Sequence, residues 1–174
     1  MPLIVSVLLS FFSMAPALAQ FSAELKAGIQ TDRGQDPLPD GTKFSAGIVY
    51  DLGSWSYQFN YSHVGRSEVG NATVGTKLST KEYLGWARYG FFKAKHIETY
   101  GGIGTGFKLD LANIRLYDEA VTEKSERQWL VGICTGAIVP FNQQIAANLE
   151  LELLNQPGVD FLEVAILLGM SFRF

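Results

Sequence analysis

Large apolar residues recur at every second position in eight separate stretches of this chain. In "LEVAILLGMSFRF", Leu162, Val164, Ile166, Leu168, Met170, Phe172 and Phe174 share one face, while Glu163, Ala165, Leu167, Gly169, Ser171 and Arg173 take the other. A period of two marks a strand with two chemically distinct faces. "FSAELKAGIQ" sets Phe21, Leu25 and Ile29 against Glu24 and Lys26. "KFSAGIVYDL", "SWSYQFNYSHV", "EYLGWARYGFF", "HIETYGGIGTGFKLDL", "QWLVGICTGAIVPF" and "IAANLELELL" repeat the pattern.

The connections alternate in length. "TDRGQDPLPDG", "GRSEVGNATVGTKLST" and "ANIRLYDEAVTEKSE" read as long polar loops, whereas "GS" at 53–54, "KAK" at 93–95 and "NQQ" at 142–144 read as short turns. The last connection on the long side, "NQPGV", is brief. Short turns at one end and long loops at the other predict an up-and-down antiparallel layout. A strand of about 10 residues tilted by ~45° crosses the hydrocarbon core of a bilayer.

A soluble lipocalin-like barrel shares this period with its apolar face turned inward. Two features choose lipid instead. The apolar face carries essentially no charge, while Glu, Lys, Asp and Arg collect opposite. The aromatic residues of that face gather at strand ends: Tyr50, Trp55, Phe91, Phe141, Phe172 and Phe174 at one, Phe44, Tyr61, Tyr83, Phe107 and Trp129 at the other. Two such belts are the girdles of a membrane barrel. The expected fold is all-β, an eight-stranded antiparallel up-and-down transmembrane β-barrel.

Ahead of the first strand, Leu3–Met14 is apolar and uncharged, and Ala17-Leu18-Ala19 supplies a small-x-small cleavage site. Residues 1–19 read as a signal peptide and 20–174 as the barrel domain. No later stretch is apolar enough for a membrane helix. A net charge of -3 gives no reason to expect nucleic acid as a partner. One Cys (Cys134) and two His without ligand spacing predict neither a disulfide nor a metal site, and no cofactor is expected.

The segment "LLGMSFRF" resembles the C-terminal recognition signal of bacterial outer-membrane barrels: a terminal aromatic (Phe174), an apolar residue two before it (Phe172) and a Gly five before it (Gly169). Leu167 departs from the polar residue usual two positions before that Gly. With the leader and the strand layout, the chain resembles small OmpA-like barrels of Gram-negative bacteria. The resemblance implies export to the outer membrane, folding by the barrel assembly machinery, and contact with outer-membrane lipid and lipopolysaccharide. A monomer is expected.

An eight-stranded barrel is just wide enough for side chains to fill it. The inward list therefore predicts a packed polar interior of Glu24, Lys26, Asp51, Arg88, Glu98, Lys108, Glu150, Glu152, Glu163 and Arg173. Centring the short turn on Lys93–Ala94 sets Arg88 opposite Glu98, and closure brings Arg173 towards Glu24. Glu152 and Glu163 fall opposite each other near the long-loop end, where Lys108 is the one inward base. Gly102, Gly104, Gly106, Gly132 and Gly136 strip one inner wall, making room for Trp86, Tyr100 or Leu130, or leaving a narrow water path.

"YSHVGRSE" alone has the parts of a nucleophilic hydrolase, in His63, Ser67 and Glu68. Small lipid-A deacylases are also eight-stranded barrels with an outward His and Ser, but there a Ser follows the His by two positions. Here those positions are Gly65 and Arg66, and the strand is the third rather than a late one. Arg66, Lys77, Lys81, Arg115, Lys124 and Arg127 lie in or beside the long loops, either as phosphate contacts or as solvated charges. The leading expectation is a non-enzymatic barrel presenting surface loops for envelope integrity or attachment. A lipid-A-modifying hydrolase using His63 and a narrow channel are the alternatives.

Overall fold

The computed structural model describes residues 19–34, 40–66, 69–70, 74–116, 119–124 and 127–174. The leader expected over 1–19 lies outside them except for Ala19, as do Ser67 and Glu68. Over the described residues the strands are β1 (Ala19–Gly34), β2 (Gly41–Leu52), β3 (Trp55–Arg66), β4 (Val69–Gly70), β5 (Val74–Ala94), β6 (Ile97–Leu116), β7 (Glu119–Lys124), β8 (Gln128–Pro140), β9 (Ile145–Asn155) and β10 (Phe161–Arg173).

Eight of these, all but β4 and β7, form a closed antiparallel ring. β10 returns to β1, and the β5–β6 pairing joins the two ends of the sheet. Closure leaves no free edge at membrane depth, which is what lipid demands of a sheet. The barrel wears its apolar face outside. Phe59, Ile103 and Leu168 are 61 %, 69 % and 64 % exposed, whereas Lys43, Glu150 and Glu152 are at 0 %. In water that exterior would be untenable; against hydrocarbon it is the stable arrangement.

Local chemistry sets the two ends. Gly53, at φ 65°, closes the tight β2–β3 hairpin in which Leu52 faces Trp55. Only Gly takes that left-handed conformation without cost. Between β5 and β6 the turn falls at Lys95–His96, later than the expected Lys93–Lys95, and a bulge between Gly90 and Phe92 shifts the register again.

At the opposite end the long loops hold more sheet than expected. β5 and β6 stay paired out to Val74 and Leu116, beyond the points where β3 and β8 stop. β4 then pairs with β5, and β7 pairs with β6 from Leu111 to Leu116. The ring thus carries a four-stranded projection on its long-loop side.

Candidate functional site

Two kinds of side chain fill the lumen. The first is a web of ion pairs, reached by long side chains from facing strands. Nearer the short turns, Glu150 accepts Lys26 Nζ at 2.5 Å and also Arg88 Nη2 and the Tyr100 hydroxyl. Glu24 lies 3.0 Å from Lys26 and 3.4 Å from Arg88, and accepts Gln58 Nε2 at 2.8 Å and Ser171 Oγ at 3.2 Å. Two carboxylates meet two cations, so this layer is neutral.

Nearer the loops, Lys43 Nζ bridges Glu82 and Glu152 at 2.7 Å each. Lys108 Nζ meets Glu163 at 2.5 Å and lies 4.0 Å from the centroid of the Phe161 ring. The Gln30 amide donates to Glu82 and Glu163 at 3.1 Å, tying the two groups together. Above them Arg66 pairs with Asp32 at 2.8 Å, and Thr80 donates to Asp110 at 2.6 Å. Buried charges persist only when paired in this way.

The second filling is an apolar wedge of Leu84, Trp86, Tyr100, Leu130, Cys134 and Leu154. It occupies the wall stripped to glycine. A Cβ at Gly104 would run into the Trp86 ring, and one at Gly136 into the Tyr100 phenol. The glycines therefore make room for rings. At the short-turn end the lumen opens into a vestibule of about 310 Å³ lined by Asp51, Glu98 and Arg173, with Glu24 and Arg88 at its inner limit.

All ten expected interior residues lie on inward positions, but their partners differ from expectation. Arg88 stands opposite Gly102 rather than near Glu98, because the later turn and the bulge displace β6. It pairs with Glu24 and Glu150 instead. Arg173 sits opposite Ser22 and reaches Glu98 at 3.5 Å, not Glu24. Glu152 and Glu163 are not opposed: they face Ala165 and Leu154, and a different lysine holds each. Lys108 is not the one inward base at that end, since Lys43 and Arg66 also point in. Arg66 in particular is neither a surface phosphate contact nor a solvated charge: it is 4 % exposed. The sequence reading missed Asp32, Lys43 and Glu82; Gln30 falls on the same inner face of β1 as Glu24 and Lys26. Strand parity alone places Lys43 two before Ser45 on the inner face of β2 and would have found it.

Outside, the girdle at the long-loop end is continuous over four strands. Tyr61, Tyr83, Phe107 and Trp129 follow one another with centroid separations of 5.2, 4.9 and 6.4 Å. His63 lies one outward position beyond Tyr61, with Phe44 and Lys81 as its cross-strand neighbours. Neither neighbour is a hydroxyl or a carboxylate, and Ser62 is fully buried in the lumen. Lys77 is exposed, and the Arg127 guanidinium sits 5.1 Å from the centroid of the Phe107 ring. Arg115 and Lys124 belong to β6 and β7.

No protein-family profile matches the chain, and no curated protein matches it in sequence. Solved structures do share its fold. Neisserial surface protein A is 12 % identical with a TM-score of 0.78, over 90 % of this chain and 99 % of that one. Ail, the attachment invasion locus protein of Yersinia pestis, was solved with the heparin analogue sucrose octasulfate; it gives 11 %, 0.66, 90 % and 99 %. The N-terminal β-barrel domain of Pseudomonas aeruginosa OprF gives 16 %, 0.52, 90 % and 99 %. The chain thus has the eight-stranded outer-membrane barrel fold of these proteins. Identities this low establish the fold and leave the activity to be argued from the site.

Proposed function

We propose that this chain is a non-enzymatic barrel of a Gram-negative outer membrane that holds surface loops rigidly for attachment or envelope integrity. The observation that carries this reading is the projection. β5 and β6 continue past the girdle as one paired ladder flanked by β4 and β7. A plugged barrel beneath it supplies a stiff base, and functional residues commonly ride on loops held by a rigid scaffold. Interior ion pairs that find their partners across the lumen have the character of structure rather than of catalysis. The leader delivers the chain, and Gly169, Phe172 and Phe174 serve as the assembly signal.

The test is a chain in which residues 112–126 are replaced by a short Gly-containing turn. Full-length and shortened barrels are expressed in a strain deleted for the native gene, with outer-membrane levels matched by the heat-shifted band on a gel. Full-length protein is expected to restore attachment or resistance to bile salts, and the shortened barrel to restore neither. Equal restoration by both would overturn the reading. Lipid A mass spectra unchanged by overexpression, with or without His63→Ala, are expected on the same reading. A lost acyl chain that depends on His63 would replace it with a hydrolase.

A further inference from the structure

We propose that the outer wall from β10 across β1, β2 and β3 to β5 seats one phosphate-bearing lipid, its acyl chain over Ala27 and Ala46 and its phosphate at His63 and Lys81. The inference is independent of what the loops do.

Register builds the seat. One row across the wall reads Leu168, Ala27, Phe44, His63, Lys81, and the row below it reads Met170, Leu25, Ala46, Tyr61, Tyr83. Ala27 and Ala46 are diagonal neighbours in these rows. Each lies between bulky side chains, so the wall is cut back to the level of the alanine methyls. The result is a groove of about 520 Å³, walled by Phe44 and Tyr61 on one side and by Leu168 and Met170 on the other. Its surface is almost wholly apolar, and Tyr61, the first ring of the girdle, forms part of its wall. An acyl chain matches that surface.

Charge at the groove's outer end selects the headgroup. His63 itself lines the groove, and Lys81 is its cross-strand neighbour on β5. Both lie one outward position beyond Tyr61 and Tyr83, at the level where a headgroup begins. Further out on the same face come Arg33, Thr42, Ser79 and Lys77. Among the described residues, the outward positions of β1, β2, β3 and β5 beyond the girdle hold no carboxylate until Asp40, just ahead of β2. An ammonium and an imidazole N–H on cross-strand neighbours beside an apolar groove suit phosphate oxygens. A second copy of the chain would bring its own apolar wall and leave these cations unmatched.

Native mass spectrometry of the barrel purified from outer membranes tests the seat. The probes are dioleoyl phosphatidic acid and the diacylglycerol with the same chains. Wild type is expected to keep one phosphatidic acid per barrel, bound about tenfold more tightly than the diacylglycerol, as a charge-assisted contact supports. His63→Ala with Lys81→Ala should erase that preference and leave diacylglycerol binding unchanged. Ala46→Phe fills the groove and should weaken both lipids about tenfold, on the scale of lost apolar burial. The heat-shifted gel band reports folding; if Ala46→Phe lacks it, Ala27→Leu takes its place. Wild type without preference for the phosphate, a preference that survives the double substitution, or a wild-type dimer mass in place of the lipid adduct would overturn the proposal.

Discussion

The ion-pair web and the apolar wedge fill the same lumen and fail in opposite ways. Lys26, Lys43, Arg88 and Lys108 reach across to carboxylates on other strands, so each charge depends on a partner far away in sequence. Trp86 and Tyr100 depend on what is missing, the side chains of Gly104, Gly132 and Gly136. Removing an atom group harms the web, because it leaves a charge buried and unpaired. Adding one harms the wedge, because the space is already taken by a ring or by backbone. A narrow barrel can therefore be plugged by attraction or by fit, and the two plugs respond differently to substitution.

Glu150→Ala should show the first response most strongly. It strips Lys26, Arg88 and Tyr100 of a shared acceptor. A loss of about 3–5 kcal/mol is expected, the cost of breaking a buried pair. Urea titration of the folded band in detergent would read it, and a loss below 1 kcal/mol would mean that water reaches this layer. On the wedge, Trp86→Ala removes the ring that the glycines accommodate, and about 3 kcal/mol should go with it. Gly104→Ala and Gly106→Ala test fit directly. At Gly104 the new methyl meets the Trp86 ring first, and the Gly85 carbonyl at 2.8 Å; at Gly106 it meets only backbone, of Tyr83 and Leu84, and comes closer still. Both should cost about 1–3 kcal/mol, with Gly106→Ala the greater.

Alternation carried much of this architecture in plain view. Strand faces, the closed order and the girdles follow from a period of two, because lipid and lumen ask for different residues at each step. Interior partners did not follow, since a pair across the lumen depends on register. Register turned on whether the β5–β6 turn lies at Lys93–Lys95 or at Lys95–His96, and on one bulge. Both turns are made of similar small and basic residues, so composition could not choose between them. The projection stayed hidden for another reason. "GTKLST" holds a single large apolar residue, Leu78, too few to show a period, and in "ANIRL" the apolar residues Ala112, Ile114 and Leu116 fall on the opposite parity to Phe107, Leu109 and Leu111. Arg66 reads as a loop residue because it follows Gly65 and leads into a polar run, though its strand continues and Asp32 pairs with it across the lumen.

The comparison sharpens if attraction is replaced by fit. Lys43→Met with Glu82→Leu and Glu152→Leu removes one whole cluster and leaves Gln30 bonded to Glu163. Well-packed apolar groups of similar volume commonly match or exceed a buried ion cluster. The triple variant should therefore lie within about 1 kcal/mol of wild type, or above it, while Lys43→Met alone loses about 3 kcal/mol by stranding two carboxylates. A triple variant as unstable as the single one would show that the lumen needs charge and not merely volume.

The smallest effect is expected where the same chemistry meets water. Lys93 Nζ lies 3.0 Å from Glu98, as close as Lys26 lies to Glu24. The Lys93 side chain, however, is 77 % exposed, against 1 % for Lys26. Solvent screens the exposed pair and solvates either partner when the other is removed, so nothing is stranded. Glu98 also keeps Arg173 at 3.5 Å. Lys93→Ala should therefore change the urea midpoint by no more than about 0.5 kcal/mol, and added salt should reduce even that. A loss approaching that of Glu150→Ala would mean that distance, and not burial, sets the strength of these pairs. The exposed pair and the buried web would then no longer be distinguished by their access to water.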